Sequence, residues 1–147
     1  MINSLVNKSF IRLGVVATDR EEAIQKAATP LVDAGMIEKR YIEAIIRSMK
    51  DNGPYFVLLP HVALPHARPE EGAIGNALGI AALKEPVVFG NESNDPVKYI
   101  FTLSAIDDGQ HLESLAQLSQ LLDEPGFFEV LDRATDPQEV IDYLESK

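Results

Sequence analysis

The sequence predicts an α/β fold, a three-layer α/β/α sandwich on a mixed sheet, in the order strand, two helices, three strands, three helices. Three observations predict it. Apolar residues alternate near the N-terminus and then recur at helical spacing. Three short runs rich in apolar and β-branched residues follow between turn signals, and the last third returns to helical spacing with a series of leucines. A sheet flanked by that many amphipathic helices closes one core by taking helices on both faces.

Each element has its own signal. Ser9 to Ala17 alternates Ile11, Leu13 and Val15 on one face, as a half-buried strand does, and Thr18 with Glu21 forms a capping box that starts a helix near Asp19. Ala23, Ile24, Ala27, Leu31 and Val32 give that helix its apolar stripe; Pro30 predicts a kink and Gly35 a stop. A second helix is expected over Glu38 to Lys50, with Tyr41, Ile42, Ile45, Ile46 and Met49 on one side. Asp51-Asn52-Gly53-Pro54 ends it. Strands are expected at Tyr55 to Leu59, Ala77 to Leu83 and Pro96 to Ala105, the middle one buried on both faces. Gln110 to Leu122 carries Leu112, Leu115, Leu118, Leu121 and Leu122 at helical spacing. Pro125 opens a shorter helix to Leu131, and Asp136, Pro137 and Glu139 cap the last one.

Size and composition narrow the function. A chain of 147 residues, 46% of them hydrophobic, suffices for one core and is short for two, so residues 1–147 are expected to form a single domain. No apolar run approaches the roughly 20 residues that span a bilayer. The N-terminal MINSLVNKSF lacks the basic start and apolar centre of a secretory signal, which makes a cytoplasmic location the expectation. With 13 basic and 23 acidic side chains the net charge is −10, which repels nucleic-acid phosphates and anionic lipid heads and favours solubility or a basic partner. Zero cysteines exclude disulfides, thiolate metal sites and a cysteine nucleophile.

The chemistry-bearing stretch is Pro54 to Gly72, PYFVLLPHVALPHARPEEG. Prolines at 60 and 65 force the chain out of regular pairing and hold His66 in a rigid turn. An imidazole is suited to carrying a phosphoryl group, because its ordinary pKa near 6.5 leaves a neutral, nucleophilic ring nitrogen at neutral pH. His111 follows the turn Asp107-Asp108-Gly109 at the start of the leucine-rich helix, where unpaired amides attract an anion; the alternative is a helix-surface histidine. Arg68 either offers a fork of donors to a phosphate or carboxylate or is a solvated arginine. His61 reads as a loop residue.

Other patterns lead elsewhere. Gly72, Gly75 and Gly79 match neither the dinucleotide fingerprint nor the Walker spacing. Glu70-Glu71 and Asp107-Asp108 are sequence neighbours that read as solvated acidic surface rather than a hydrolytic pair. A zinc enzyme on His61, His66 and His111 is a rival reading, weakened by a His-x4-His spacing interrupted by proline.

ALPHARPEEG, preceded by GPYFVL and followed by NDPVKYIFTLSAIDDGQH, resembles a type-2 enzyme IIA domain of the bacterial phosphoenolpyruvate-dependent sugar phosphotransferase system. Within it the ascorbate-specific branch is the most similar. The resemblance runs from the first helix to the C-terminus. Gly53 to Leu58 with Arg68 to Gly72 carries more of it than Pro65-His66, a core that the mannitol and fructose branches share. It implies the α/β/α fold and a phosphohistidine relay in which phospho-HPr donates to His66, which then passes the group to IIB. It also implies that His111 stabilises the phosphate. The next acceptor in such systems is commonly a cysteine of IIB, so with no cysteine here IIB is expected as a separate chain or domain, with a membrane IIC reached indirectly. No metal, nucleotide or other cofactor is implied. Mannitol-type relatives use an arginine on the preceding helix; Arg47 is not in convincing register with it and is assigned no role. The alternative within the same fold is a nitrogen-type regulatory phosphoprotein acting by protein binding. The sequence leaves open a homo-oligomer, the sugar and the phosphorylated ring nitrogen.

Overall fold

The computed structural model describes residues 2–146, and all structural statements concern these. The elements run β1 (Ile11–Val15), α1 (Arg20–Asp33), α2 (Lys39–Asn52), β2 (Val62–Ala63), β3 (Ala77–Val87), β4 (Val97–Ser104), α3 (Asp108–Leu122), α4 (Pro125–Arg133) and α5 (Pro137–Glu145). This is the predicted order. The sheet order is β1-β3-β4-β2, with β1 parallel to β3, β3 antiparallel to β4 and β2 parallel to β4, so the sheet is mixed as expected.

Both faces of the β3–β4 pair are covered. Ala77, Ala81 and Ile100 face a cluster with Ala23, Ala27 and Leu31 of α1 and Tyr41, Ile45 and Met49 of α2. Leu78, Ile80, Phe101 and Leu103 face Leu118 and Leu121 of α3, Phe127 and Leu131 of α4 and Val140 and Leu144 of α5. Along β3 the residues facing α1 are small. A Cβ on Gly79 would sit 3.6 Å from the Ala27 carbonyl oxygen, so the helix backbone approaches the strand directly. Ala77 to Leu83 are all buried, which bears out the two-sided reading of this strand.

The structure corrects three local expectations. Tyr55 to Leu59 is a turn rather than a strand, and the strand is the short β2 beyond it. Pro54 and Pro60 have no N–H to give a ladder. The Val57 N–H turns back to the Pro54 carbonyl, whose separation is 3.2 Å, while the Val57 carbonyl accepts from the side-chain amides of Asn91 and Asn94. Phe56 and Val57 are buried all the same, and that burial gives the sequence its strand-like apolar run. The cap of α1 is shifted by one residue: Asp19, not Thr18, accepts from the Glu22 N–H at 2.9 Å, and the Glu22 carboxylate accepts from the Thr18 N–H at 2.7 Å. The first strand begins at Ile11 instead of Ser9, because Lys8–Phe10 form a 3-10 turn capped by Asn7. Pro30 lies inside α1, which runs on to Asp33.

Gly35 supplies the expected stop. At φ 76° it lets its own N–H reach the Val32 carbonyl and the Met36 N–H reach the Leu31 carbonyl, a Schellman closure. Asp136 and Glu139 form the full capping box foreseen for α5.

Phe101 is fully buried, with its ring centroid 5.8 Å from that of Phe127. Phe101→Ala should therefore lower the unfolding free energy by ~3–5 kcal/mol. In urea denaturation the midpoint should drop with an unchanged slope; a loss below ~1 kcal/mol would mean the sheet–α4 contact is not a core contact.

Candidate active site

β2 and β4 run parallel and therefore deliver their C-terminal ends to the same edge of the sheet, where open α/β sheets present their ligand crevices. His66 lies three residues past β2. His111 sits in the first turns of α3, which follows β4 across Ala105 to Asp107. Their ring centroids are 5.0 Å apart, with the planes inclined at 49°. Both rings line a cleft of about 460 Å³, walled on the α2 side by Ala44, Arg47, Ser48 and Asp51 and on the loop side by Tyr55, Ala67, Arg68 and Glu71.

The half-buried His66 ring is oriented by its own backbone. Its Nδ1 lies 2.8 Å from the Leu64 carbonyl oxygen. A carbonyl only accepts, so Nδ1 carries the proton and Nε2 keeps the free lone pair. The Pro65 carbonyl accepts from the Leu103 N–H at 3.1 Å, extending β2's attachment to β4 up to the histidine. The Tyr55 ring stands edge-on to His66, with centroids 5.8 Å apart at 82°.

Asp107 caps α3 by accepting from the Gln110 N–H at 2.8 Å, and the His111 N–H donates to the Asp107 carbonyl. The His111 pKa lies below the usual histidine value. Partial burial is the main cause, the adjacent His66 adds to it, and Asp108 opposes it. His111 is therefore neutral at neutral pH. Two cations border the cleft. Arg47 is held loosely, its Nη2 4.0 Å from the Glu71 carboxylate with both side chains exposed. The exposed Arg68 guanidinium has no hydrogen-bond or ion-pair partner among the described residues.

Of the sequence candidates, His66, His111 and Arg68 are brought together and His61 is not. His61 sits at φ 69° at the start of β2. Its Nδ1–H donates to the Pro96 carbonyl at 2.8 Å, and its backbone carbonyl accepts from the Lys98 and Tyr99 N–H groups. It is a loop residue that ties β2 to β4, as expected. No cluster of three or more His, Asp or Glu side chains is placed to hold a metal among the described residues.

The sequence reading assigned Arg47 no role and did not single out Tyr55, and both line the cleft. A signal for Arg47 was present: Ala44, Arg47, Ser48 and Asp51 recur at helical spacing beside the core stripe of α2. Tyr55 gave none, because an aromatic in an apolar run reads as core.

The family described as phosphoenolpyruvate-dependent sugar phosphotransferase system, EIIA 2, matches residues 4–147. The ascorbate-specific PTS system EIIA component of Shigella boydii is 36% identical over 144 residues, 97% of this chain and 94% of that protein. Among solved structures, the mannitol-specific cryptic phosphotransferase enzyme IIA of Escherichia coli is 35% identical. It superposes with a TM-score of 0.88 and 99% of each chain covered. The mannitol enzyme IIA solved in complex with phosphorylated enzyme IIB, also from Escherichia coli, is 26% identical. Its TM-score is 0.81, covering 97% of this chain and 98% of that one.

The depressed His111 value can be tested by nitrogen-detected NMR titration. His111 should titrate below the ordinary ~6.5 and move upward in His66→Ala, without reaching the ordinary value because burial remains. A midpoint at or above ~6.5 in the parent protein would show that neither burial nor His66 governs it.

Proposed function

The chain belongs to the EIIA 2 family of the phosphoenolpyruvate-dependent sugar phosphotransferase system, and from that premise we propose that His66 is its phosphoryl acceptor and donor. Phospho-HPr is the donor, and a IIB component, on a separate chain or domain, is the acceptor. The observation that carries the reading is the His66 ring in its cleft, with Nδ1–H committed to the Leu64 carbonyl, Nε2 free and His111 beside it.

The bonds follow from that tautomer. The Nε2 lone pair attacks the phosphorus of the donor, the donor's P–N bond breaks, and its electron pair returns to the donor imidazole. No proton leaves His66. The product is an N-phosphorylated ring that still carries hydrogen on Nδ1 and is formally cationic, and the Leu64 carbonyl stabilises that charge. When a IIB thiolate attacks, the P–Nε2 bond breaks and the pair returns to Nε2, restoring the same neutral tautomer. The transition state is loose, so alignment and charge on the equatorial oxygens dominate. His111, Arg47 and Arg68 line the cleft that the phosphoryl group enters and supply donors to those oxygens. A dianionic phosphoryl group beside His111 favours its protonated form and turns a neutral ring into a charged donor.

L-Ascorbate is the proposed sugar, supported by the 36% identity to ascorbate-specific EIIA components across nearly the whole chain. Mannitol is a second reading, favoured by a 35% identical mannitol-specific structure at a TM-score of 0.88. The relay itself is common to both.

Reconstitution with phosphoenolpyruvate, enzyme I, HPr and candidate IIB proteins tests the chain of transfer. His66→Ala should take no label. His111→Ala should be labelled more slowly, a lost preorganised donor costing ~3 kcal/mol or roughly a hundredfold in rate. Full labelling of His66→Ala refutes the acceptor assignment, and preferential transfer to a mannitol-type IIB would replace ascorbate as the sugar.

Nitrogen assignment is a separate check. Phosphorus–nitrogen coupling in the labelled protein should appear at Nε2 of His66, with Nδ1 still protonated. Coupling at Nδ1 would require the Leu64 hydrogen bond to break and would contradict the step above.

A further inference from the structure

Phosphoryl transfer between two proteins asks for alignment more than for covalent chemistry, so the attacking nitrogen must be aimed before the donor arrives. An imidazole on a surface loop has two flanking peptide planes and two side-chain torsions free to wander. Here each of these freedoms meets a specific partner. The peptide before His66 is held through its Pro65 carbonyl by the Leu103 N–H at 3.1 Å. The peptide after it, joining His66 to Ala67, is held on both sides. The His66 carbonyl accepts from the Tyr55 hydroxyl at 2.9 Å, and the Ala67 N–H donates to the Tyr41 hydroxyl at 3.1 Å. Tyr41 then donates its own hydrogen to the Leu103 carbonyl at 2.7 Å.

Leu103 of β4 thus grips the peptides on either side of the histidine, one directly and one through Tyr41. Because a peptide unit is planar, a rotation that moves its carbonyl away from Tyr55 also moves its N–H away from Tyr41. The ring plane is then set by the Nδ1–H bond to Leu64 and by the Tyr55 ring standing edge-on beside it.

The apolar packing does not depend on these hydroxyls, although Tyr41→Phe would leave the Leu103 carbonyl and the Ala67 N–H without this partner. Tyr41 is buried to 1% exposure on the α2 stripe shared with Ile42, Ile45 and Met49, where an apolar ring of the same shape would fill the space. Burial pushes its pKa up to about 12, so it stays a neutral donor over the whole working range. Tyr55 is 39% exposed at the cleft wall and has little core to fill.

We propose that Tyr41 and Tyr55 are positioning residues that clamp the single peptide between His66 and Ala67, from opposite sides, and so fix the direction in which His66 presents Nε2. This rests on His66 being the acceptor. The clamp acts on the transfer step.

The test compares Tyr41→Phe, Tyr55→Phe and the double variant with Tyr99→Phe. Tyr99 gives its hydroxyl hydrogen bond to Asp132 at 2.5 Å and packs on the opposite face of the sheet. Single-turnover transfer from phospho-HPr should slow by roughly tenfold in each single clamp variant and further in the double. The concentration dependence on donor should stay within about twofold, since misaimed reacting groups lose rate rather than affinity. Hydrogen exchange at the Ala67 amide should accelerate in Tyr41→Phe, and Tyr99→Phe should match the parent in both readouts. Tyr55 lies at the surface, so Tyr55→Phe decides the question even where Tyr41→Phe is too unstable to assay. An unlabelled His66→Ala together with parental rates in the clamp variants overturns the clamp alone, as does a loss confined to donor affinity or shared equally by Tyr99→Phe. A labelled His66→Ala overturns the acceptor assignment on which the clamp rests.

Discussion

The antiparallel pairing of β3 with β4, running from Ala77 opposite Ser104 to Ala82 opposite Tyr99, is the constraint on which the rest of the molecule depends. Ala77 to Leu83 of β3 and Tyr99 to Ser104 of β4 are buried on both faces of the sheet, so each face is roofed by helices. The small residues of β3 facing α1 draw that helix close, while the bulkier Leu78, Ile80, Phe101 and Leu103 receive α3, α4 and α5. With the faces occupied, the cleft that holds His66 and His111 lies at the sheet end at which β2 and β4 terminate.

β4 reaches the candidate site without lining its cleft with a side chain. The Leu103 side chain is in the core, whereas its N–H and carbonyl, directly and through Tyr41, hold the loop that carries His66. The rigidity of a buried strand is thereby lent to a surface histidine. A loop that paired only with water would leave the imidazole to sample several rotamers, each with a different nitrogen facing the cleft.

Electrostatically the cleft is mixed. Asp51, Glu71 and Asp108 share its walls with Arg47 and Arg68 in a chain of net charge −10. A pocket of fixed, strong positive charge would hold a phosphoryl group too firmly for the proposed relay, which has to release it. The neutral state of His111 before phosphorylation fits the proposed relay, since its charge then depends on the occupant of the neighbouring ring.

Much of this was legible in the sequence. Apolar periodicity determined the element order, the two-sided burial of β3 and the Asp136–Glu139 cap, because period and burial are local consequences of side-chain alternation. The Pro65-His66 turn and the helix-start position of His111 marked two of the residues that meet in the cleft. What sequence alone could not decide was partnership across long separations. The apolar run at Tyr55 to Leu59 looks like a strand, yet it is a buried turn because prolines withhold donors and distant Asn91 and Asn94 take the Val57 carbonyl. Arg47 joins the cleft only because α2 crosses beside the loop. Tyr41 and Ala67 are 26 positions apart, and Tyr41 and Leu103 are 62 apart. A hydroxyl aimed at a particular peptide is invisible in composition and spacing, for its value lies wholly in where the packed sheet and helices put it.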